Sequence, residues 1–387
     1  MATSRHALLS PSSSSRWLNC TPSARLEERE EDKGSSFAEE GTCAHALCEI
    51  KLRDLLGEEQ QSNEFEELKD KWYDKAMDDY TDEYVTLVYG KYLDALKTDP
   101  EAKLLIERTL EFSAWIPESF GTCDAIIVGG NTIEVFDFKY GKGVEVSAVE
   151  NTQMMIYALG ATADYDLDYQ LENVRMTIVQ PRLANISEWE VSAKDLKRWG
   201  AEELAPRAAL AIKGEGEHKA GSWCKFCKVK ARCATLANQM IACYTQNEQK
   251  ELITDEQMGD VLTLIPTIKS WCSAVEDYAL VQALNGKKFK GHKVVEGRSV
   301  RKIADPDTLI SRLLDSGVAT SDIFKPAELK ALGDLEKVVG KKEFAQLAKG
   351  CIEKPQGKPT LVPESDKREE LHMSSAELDF RDITIID

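Results

Sequence analysis

Hydrophobic and polar positions divide the chain into parts of different period. Ser12–Ser15 ahead of Arg16, Trp17 and Leu18 form a helix-start signal, predicting a short helix that carries Cys20. Residues 41–56 read as an amphipathic helix. Over residues 58–92, Leu68, Trp72, Ala76, Tyr80 and Tyr84 recur at helical spacing in a strongly acidic background, a solvated charged face. The period then shortens: Leu110, Phe112, Ala114 and Ile116 alternate as in a strand, residues 122–128 are a second β-rich run, and Gly129-Gly130-Asn131 is a hairpin turn into a third strand at 132–139. A helix follows at 149–163, a strand at 174–180 stopped by Pro181, and a long helix at about 192–213 that runs into a Gly/Lys/Cys-rich loop. Helix, three strands, helix, strand predicts a compact α/β domain over residues 1–245. Residues 246–352 read as a mostly helical region of unassigned role, and 353–387 as a Pro- and charge-rich, loosely ordered tail.

Composition narrows the function classes. Hydrophobic residues make up 42% of the 387 positions, enough for a sizeable core, and the net charge of −18 argues against a protein that coats polyanions. The acid concentrates at 27–40 and 58–83, whereas Lys219, Lys225, Lys228, Lys230 and Arg232 crowd one loop, and residues 287–302 form a second basic stretch. No apolar run approaches the roughly 18 residues of a membrane helix, and the Ser-rich N-terminus has no apolar leader segment, so a cytoplasmic location is expected. In that compartment paired cysteines suggest metal or redox chemistry before disulfides. Cys43, Cys48, Cys123, Cys243 and Cys272 sit among apolar neighbours and read as small buried hydrophobes.

Two constellations carry chemistry. In Gly121-Thr-Cys-Asp124 and Asp137-Phe-Lys139, strand alternation puts Asp137 and Lys139 on one face, and the hairpin brings Asp124 beside them. Two carboxylates and an amine at one edge suit a hard divalent ion, Mg²⁺ or Mn²⁺, that binds a phosphate and activates water. Lys139 would orient or help deprotonate that water and stabilise developing negative charge. Taken alone, the triplet also fits a surface ion pair. It is accompanied by Gln153 and Tyr157, one helical turn apart, and by Gly41-Thr-Cys-Ala-His45, with Glu49 a turn further on.

The order G-x-x-x-H, G-x-x-D, D-x-K, Q-x-x-x-Y resembles the RecB-like branch of the PD-(D/E)xK nuclease superfamily, within it the iron–sulfur exonucleases of the AddB and CRISPR-adaptation type, over about residues 16–235. The resemblance implies a restriction-endonuclease-like core, a central mixed sheet flanked by helices with an N-terminal helical insertion, and a metal-dependent DNA exonuclease. It makes His45, Asp124, Asp137 and the Phe138 carbonyl metal ligands, Lys139 the catalytic lysine, and Gln153 and Tyr157 the groups that position DNA. Asp137 stands where many relatives have Glu.

The second constellation is Cys224-x2-Cys227-x5-Cys233, three thiolates on a tight loop suited to zinc or an iron–sulfur cluster. No fourth ligand follows locally, and His218 could complete a zinc site. The resemblance instead supplies Cys20, giving a [4Fe–4S] cluster on Cys20, Cys224, Cys227 and Cys233 that pins the two ends of the nuclease together. Lys225, Lys228, Lys230 and Arg232, interleaved with Trp223 and Phe226, suit a single-stranded DNA path or simply offset the charge of a thiolate-ligated cluster. Segments 295–302 and 358–363 resemble phage-encoded proteins with this nuclease core, which implies a phage origin and a partner in phage recombination or replication. The competing expectation is a scaffold that holds DNA on a retired nuclease fold without cutting it.

Overall fold

The computed structural model describes residues 7–30, 36–58, 62–245, 254–295, 303, 305–325, 329–353, 362, 366 and 368. Five strands form one mixed sheet in sequential order: β1 (Lys103–Glu111), β2 (Phe120–Gly129), β3 (Thr132–Phe138), β4 (Asn173–Gln180) and β5 (Asn185–Ser192). Neighbours are antiparallel except β3 and β4. The β2–β3 turn uses Gly130 at φ 59°, where a side chain would be strained. A parallel pair needs a crossover; here it contains a helix over Thr152–Tyr169, which Asn151 caps through bonds from the Gln153 and Met154 amides.

The helices, numbered along the chain, begin with α1 (Ser14–Trp17), α2 (Ser23–Glu27), α3 (Ser36–Leu55), α4 (Asn63–Trp72), α5 (Lys75–Thr98) and the crossover helix α6 (Thr152–Tyr169). Next come α7 (Ala193–Trp199) and α8 (Ala205–Ala211), joined by a π-helical turn at Gly200–Leu204, and α9 (Ala234–Thr245). The C-terminal region adds α10 (Asp255–Leu284), α11 (Pro306–Asp315), α12 (Thr320–Ile323), α13 (Leu332–Val339) and α14 (Lys341–Leu347).

Helices cover both faces of the sheet, so β3 is buried along nearly its whole length. On one face Leu47, Leu52, Met77, Tyr84 and Val88 pack on Ile106, Ile127, Phe136 and Phe138. On the other, Trp17, Met154, Ile156 and Leu159 pack on Ile126, Ile133, Val135, Val174 and Ile178. Full burial of each such side chain contributes about 1.5–3 kcal/mol. This is the expected α/β fold, with helical segments at both ends.

Several sequence expectations are corrected. The first strand runs over Lys103–Glu111, not 110–116; Phe112 and Ile116 are buried within a turn, where the Ile116 amide bonds the Phe112 carbonyl at 2.8 Å. Their spacing of four, read as strand alternation, belongs to that turn. Cys20 lies after α1 rather than on it, and Ser13 and Ser14 form no side-chain cap; Ser14 instead bonds Thr152 at 2.6 Å. Cys43, Cys48 and Cys123 are buried, but Cys272 is exposed on α10. The side chain of Cys243, residues 296–302 of the second basic stretch and most of the 353–387 tail lie outside the described residues. The acidic run is not merely solvated: Lys51 bridges Asp78 and Asp82, while Lys341 and Lys342 reach Glu83 and Asp82.

Candidate functional site

β1 and β2 are kinked where the candidate metal ligands lie. Their ladder pairs Ile106 with Ala125 and Arg108 with Cys123 but skips Glu107 and Asp124 between them, and Glu107 has φ 48°. Leu104 and Ile106 pack on the α3/α5 side, whereas Leu110 packs on the α6 side, so the strand exchanges faces across this kink.

At the kink His45 of α3, Glu107 of β1 and Asp124 of β2 each bring a donor atom within 4.8 Å of the other two. His45 Nδ1 is 3.3 Å from Asp124 Oδ1, and the His45 ring packs edge-on against Phe138, 5.2 Å between centroids. The other Asp124 oxygen accepts the Phe138 N–H at 2.6 Å. A strand residue carries its N–H and C=O on the same side, so the Phe138 carbonyl is directed to this side as well.

Beside this trio, Asp137 Oδ1 accepts bonds from Lys139 Nζ at 3.0 Å and Gln153 Nε2 at 3.1 Å, and Lys139 also reaches Gln153 Oε1 at 3.3 Å. Asp137 Oδ2 is buried 2.9 Å from the Lys139 ammonium, close enough for an ion pair but outside hydrogen-bond alignment. Tyr157, one turn further along α6, packs its ring against Phe112. Glu49 is held by Arg53 at 2.9 Å.

The site is electrostatically poised for a cation. Burial opposes charge on His45, but Asp124 outweighs it and lifts the imidazole to about 9. Burial, then the Asp124 charge, push Glu107 up to about 8. Burial likewise raises Asp137. Asp124 stays below its ordinary value despite burial, because His45 and the Phe138 amide stabilise its anion. Lys139 is held above its usual value, its desolvation outweighed by Asp137. It is therefore an ammonium at neutral pH.

Cys20, Cys224, Cys227 and Cys233 line one cavity, together with Ser23, His218, Lys219 and Trp223. Two of the four sulfurs accept a backbone N–H: Cys224 from Gly221 at 3.4 Å and Cys233 from Leu236 at 3.5 Å. Burial raises Cys20 and Cys224 and pushes Cys227 up to about 12, so the site favours thiols until a cation replaces their protons. The basic loop is partly committed to structure. Lys230 bonds the Lys225 carbonyl and Ser270, Arg232 pairs with Glu30, and the Lys228 amide bonds Glu27. Lys219 and Lys225 lie over the rings of Trp223 and Phe226. From the C-terminal region, Ile268 and Trp271 of α10 close over Cys224 and Cys233.

The sequence profile of a family described as "Protein of unknown function (DUF2800)" matches residues 6–369. The chain belongs to that family. A solved structure titled "Crystal structure of SSO0001" matches 49% of the DUF2800 chain and 95% of its own length, at 16% identity and a TM-score of 0.22.

The DUF2800 chain thus gathers the sequence candidates into two places. His45 and Asp124 meet at the kink, Asp137, Lys139 and Gln153 form the adjoining network, and the four cysteines share the second cavity. Sequence reasoning missed Glu107, whose donor atom joins His45 and Asp124 more closely than that of Asp137 does. Its one local signal was a charged Glu107-Arg108 pair interrupting an otherwise apolar run.

Proposed function

We propose that this protein is a metal-dependent deoxyribonuclease of the RecB-like PD-(D/E)xK type, acting on single-stranded DNA or single-stranded ends. The observation that carries the reading is the convergence of His45, Glu107 and Asp124 beside an ammonium held between Asp137 and Gln153. Mixed imidazole and carboxylate donors suit Mn²⁺ or Mg²⁺. A divalent ion held there supplies Lewis-acid activation of a phosphate oxygen and a water of lowered pKa.

The protein's own groups do the rest. Asp124 binds and is oriented by the Phe138 amide. Gln153 holds the Asp137 carboxylate and the Lys139 ammonium together through its amide. Lys139 stabilises charge as it develops on the phosphate. The partner is a DNA strand, and by the same resemblance the setting is phage DNA recombination or replication.

The cysteine cavity supports a [4Fe–4S] reading. Four cysteines share it, and the Cys224 and Cys233 sulfurs accept the Gly221 and Leu236 N–H, donors that strengthen once the sulfur is metal-bound thiolate. Zinc with 2.3 Å bonds would draw its sulfurs to about 3.8 Å apart. Among the described residues, no three cysteine sulfurs lie within 4.8 Å of one another, a spacing that favours a larger group.

The test uses anaerobically purified full-length protein, labelled single-stranded DNA and Mn²⁺. Wild type is expected to degrade the strand and to stop with EDTA. Asp124→Ala and Lys139→Ala should each lose at least 100-fold in rate while keeping the wild-type far-UV spectrum and visible absorbance. Undiminished cleavage by both variants would sink this assignment. DNA binding by wild type with no cleavage in either metal would instead indicate a scaffold.

A further inference from the structure

Ser23 opens α2 three residues after Cys20 and is only 4% exposed. Its amide bonds the Cys20 carbonyl at 2.9 Å, yet its buried Oγ has no hydrogen-bond partner. That oxygen belongs to a residue lining the cavity of the four thiols, whose other walls include Leu26, Val229 and Leu236. Lys230, the nearby flexible cation, is already spent on the Lys225 carbonyl and Ser270. Two bonds flank the serine and fix its position: Thr21 Oγ1 to the Glu215 carbonyl at 2.6 Å, and Arg25 Nε to the Ile212 carbonyl at 2.7 Å. A hydroxyl held this firmly, dry and without an acceptor, belongs to the wall of a cavity whose characteristic acceptors are sulfur.

We propose that the Ser23 hydroxyl donates a hydrogen bond to a sulfur of the iron–sulfur group held by Cys20, Cys224, Cys227 and Cys233, and so raises its reduction potential. This rests on the cluster reading above. Hydrogen bonds to cluster sulfurs withdraw electron density and favour the reduced state. The backbone donors are common to any side chain at these positions; the Ser23 donor is removable by one substitution.

The test compares wild type, Ser23→Ala and Ser23→Thr as full-length, anaerobically purified protein, with iron and sulfide counted per chain. Ser23→Ala is expected to keep its iron, to have a more negative midpoint potential, and to lose part of the D₂O shift of the Fe–S stretching bands in resonance Raman spectra. Ser23→Thr should restore both. After iron removal by chelation, Ser23→Ala should melt no lower than wild type, because the hydroxyl has no partner in the empty cavity. A brown Ser23→Ala protein with wild-type potential and bands overturns the role of Ser23 alone. A colourless wild type carrying stoichiometric zinc overturns the cluster reading and this inference with it. If Ser23→Ala fails to load, absence of any solvent-isotope shift in the wild-type bands overturns the hydroxyl donor directly.

Discussion

At the scale of single residues, His45 and Glu107 both hold protons more tightly in the folded chain than in the unfolded one. Raised to about 9, His45 contributes stability that is complete below its ordinary pKa of about 6.5 and is lost as pH rises through 9. Glu107 keeps its proton up to about 8 when folded but loses it near 4.5 when unfolded, so its contribution also falls as pH rises across that window. The signs agree. Metal-free protein is expected to melt at progressively lower temperature from pH 6.5 to 9. Mn²⁺ affinity, measured by calorimetry, should rise over the same range as bound protons are displaced. A flat melting profile would contradict both shifts. Tyr84 gives a second prediction. Its hydroxyl is buried without a partner, so Tyr84→Phe should match or exceed wild-type stability in urea unfolding, by up to about 1–3 kcal/mol. Sequence reading reached His45, Asp124, Asp137 and Lys139 because spacing and order carry them. Glu107 was passed over because its role depends on a left-handed backbone at the kink, which the charged Glu107-Arg108 pair by itself does not report.

At the scale of elements, legibility followed the apolar pattern. β2, β3, β4 and α6 were visible because their buried positions are Ile, Val, Met and Phe. β5 was missed because its pattern is inverted: Asn185 and Ser187 are buried, while Ile186 is 54% exposed. The polar face has a purpose. Asn185 bonds Gln180 and the Val146 carbonyl, Gln180 takes the Val146 amide, and Ser187 takes the Ala148 amide. Together they pin the segment that follows Lys139. On the opposite wall α6 approaches β1 closely: a Cβ on Gly160 would lie 2.6 Å from Phe112 Cε1 and 3.2 Å from Leu110 Cβ. Overpacking costs about 1–3 kcal/mol, more than the roughly 1 kcal/mol that alanine gains in helix propensity. Gly160→Ala should therefore lose up to about 2 kcal/mol in denaturant unfolding, although the same change on an exposed helix would stabilise.

At the scale of the whole molecule, the net charge of −18 is distributed rather than uniform. α13 and α14 dock on the acidic face of α5, with Lys341 on Glu83 at 2.5 Å, the Lys342 amide on Asp79 at 2.9 Å, and Lys341 also over the Tyr80 ring. Partly exposed pairs of this kind are weak and screened by salt. Lys341→Glu with Lys342→Glu should therefore raise hydrogen exchange in α13 and α14 while leaving β2 and β3 protected; unchanged exchange would show that apolar contact holds them. At the other end of the chain, the stitches from Thr21 to Glu215 and from Arg25 to Ile212 close loops of 194 and 187 residues. Closure on that scale costs on the order of 5 kcal/mol in chain entropy, so the N-terminal segment should be the last part to dock. It also waits longest during synthesis. At about 5–20 residues per second, roughly 10–40 s separate the appearance of Cys20 from that of Cys233. For that interval the first cysteine of the cavity lacks its full set of partners on an unfinished chain, and any sulfur chemistry that needs all four begins only after the sheet has been made.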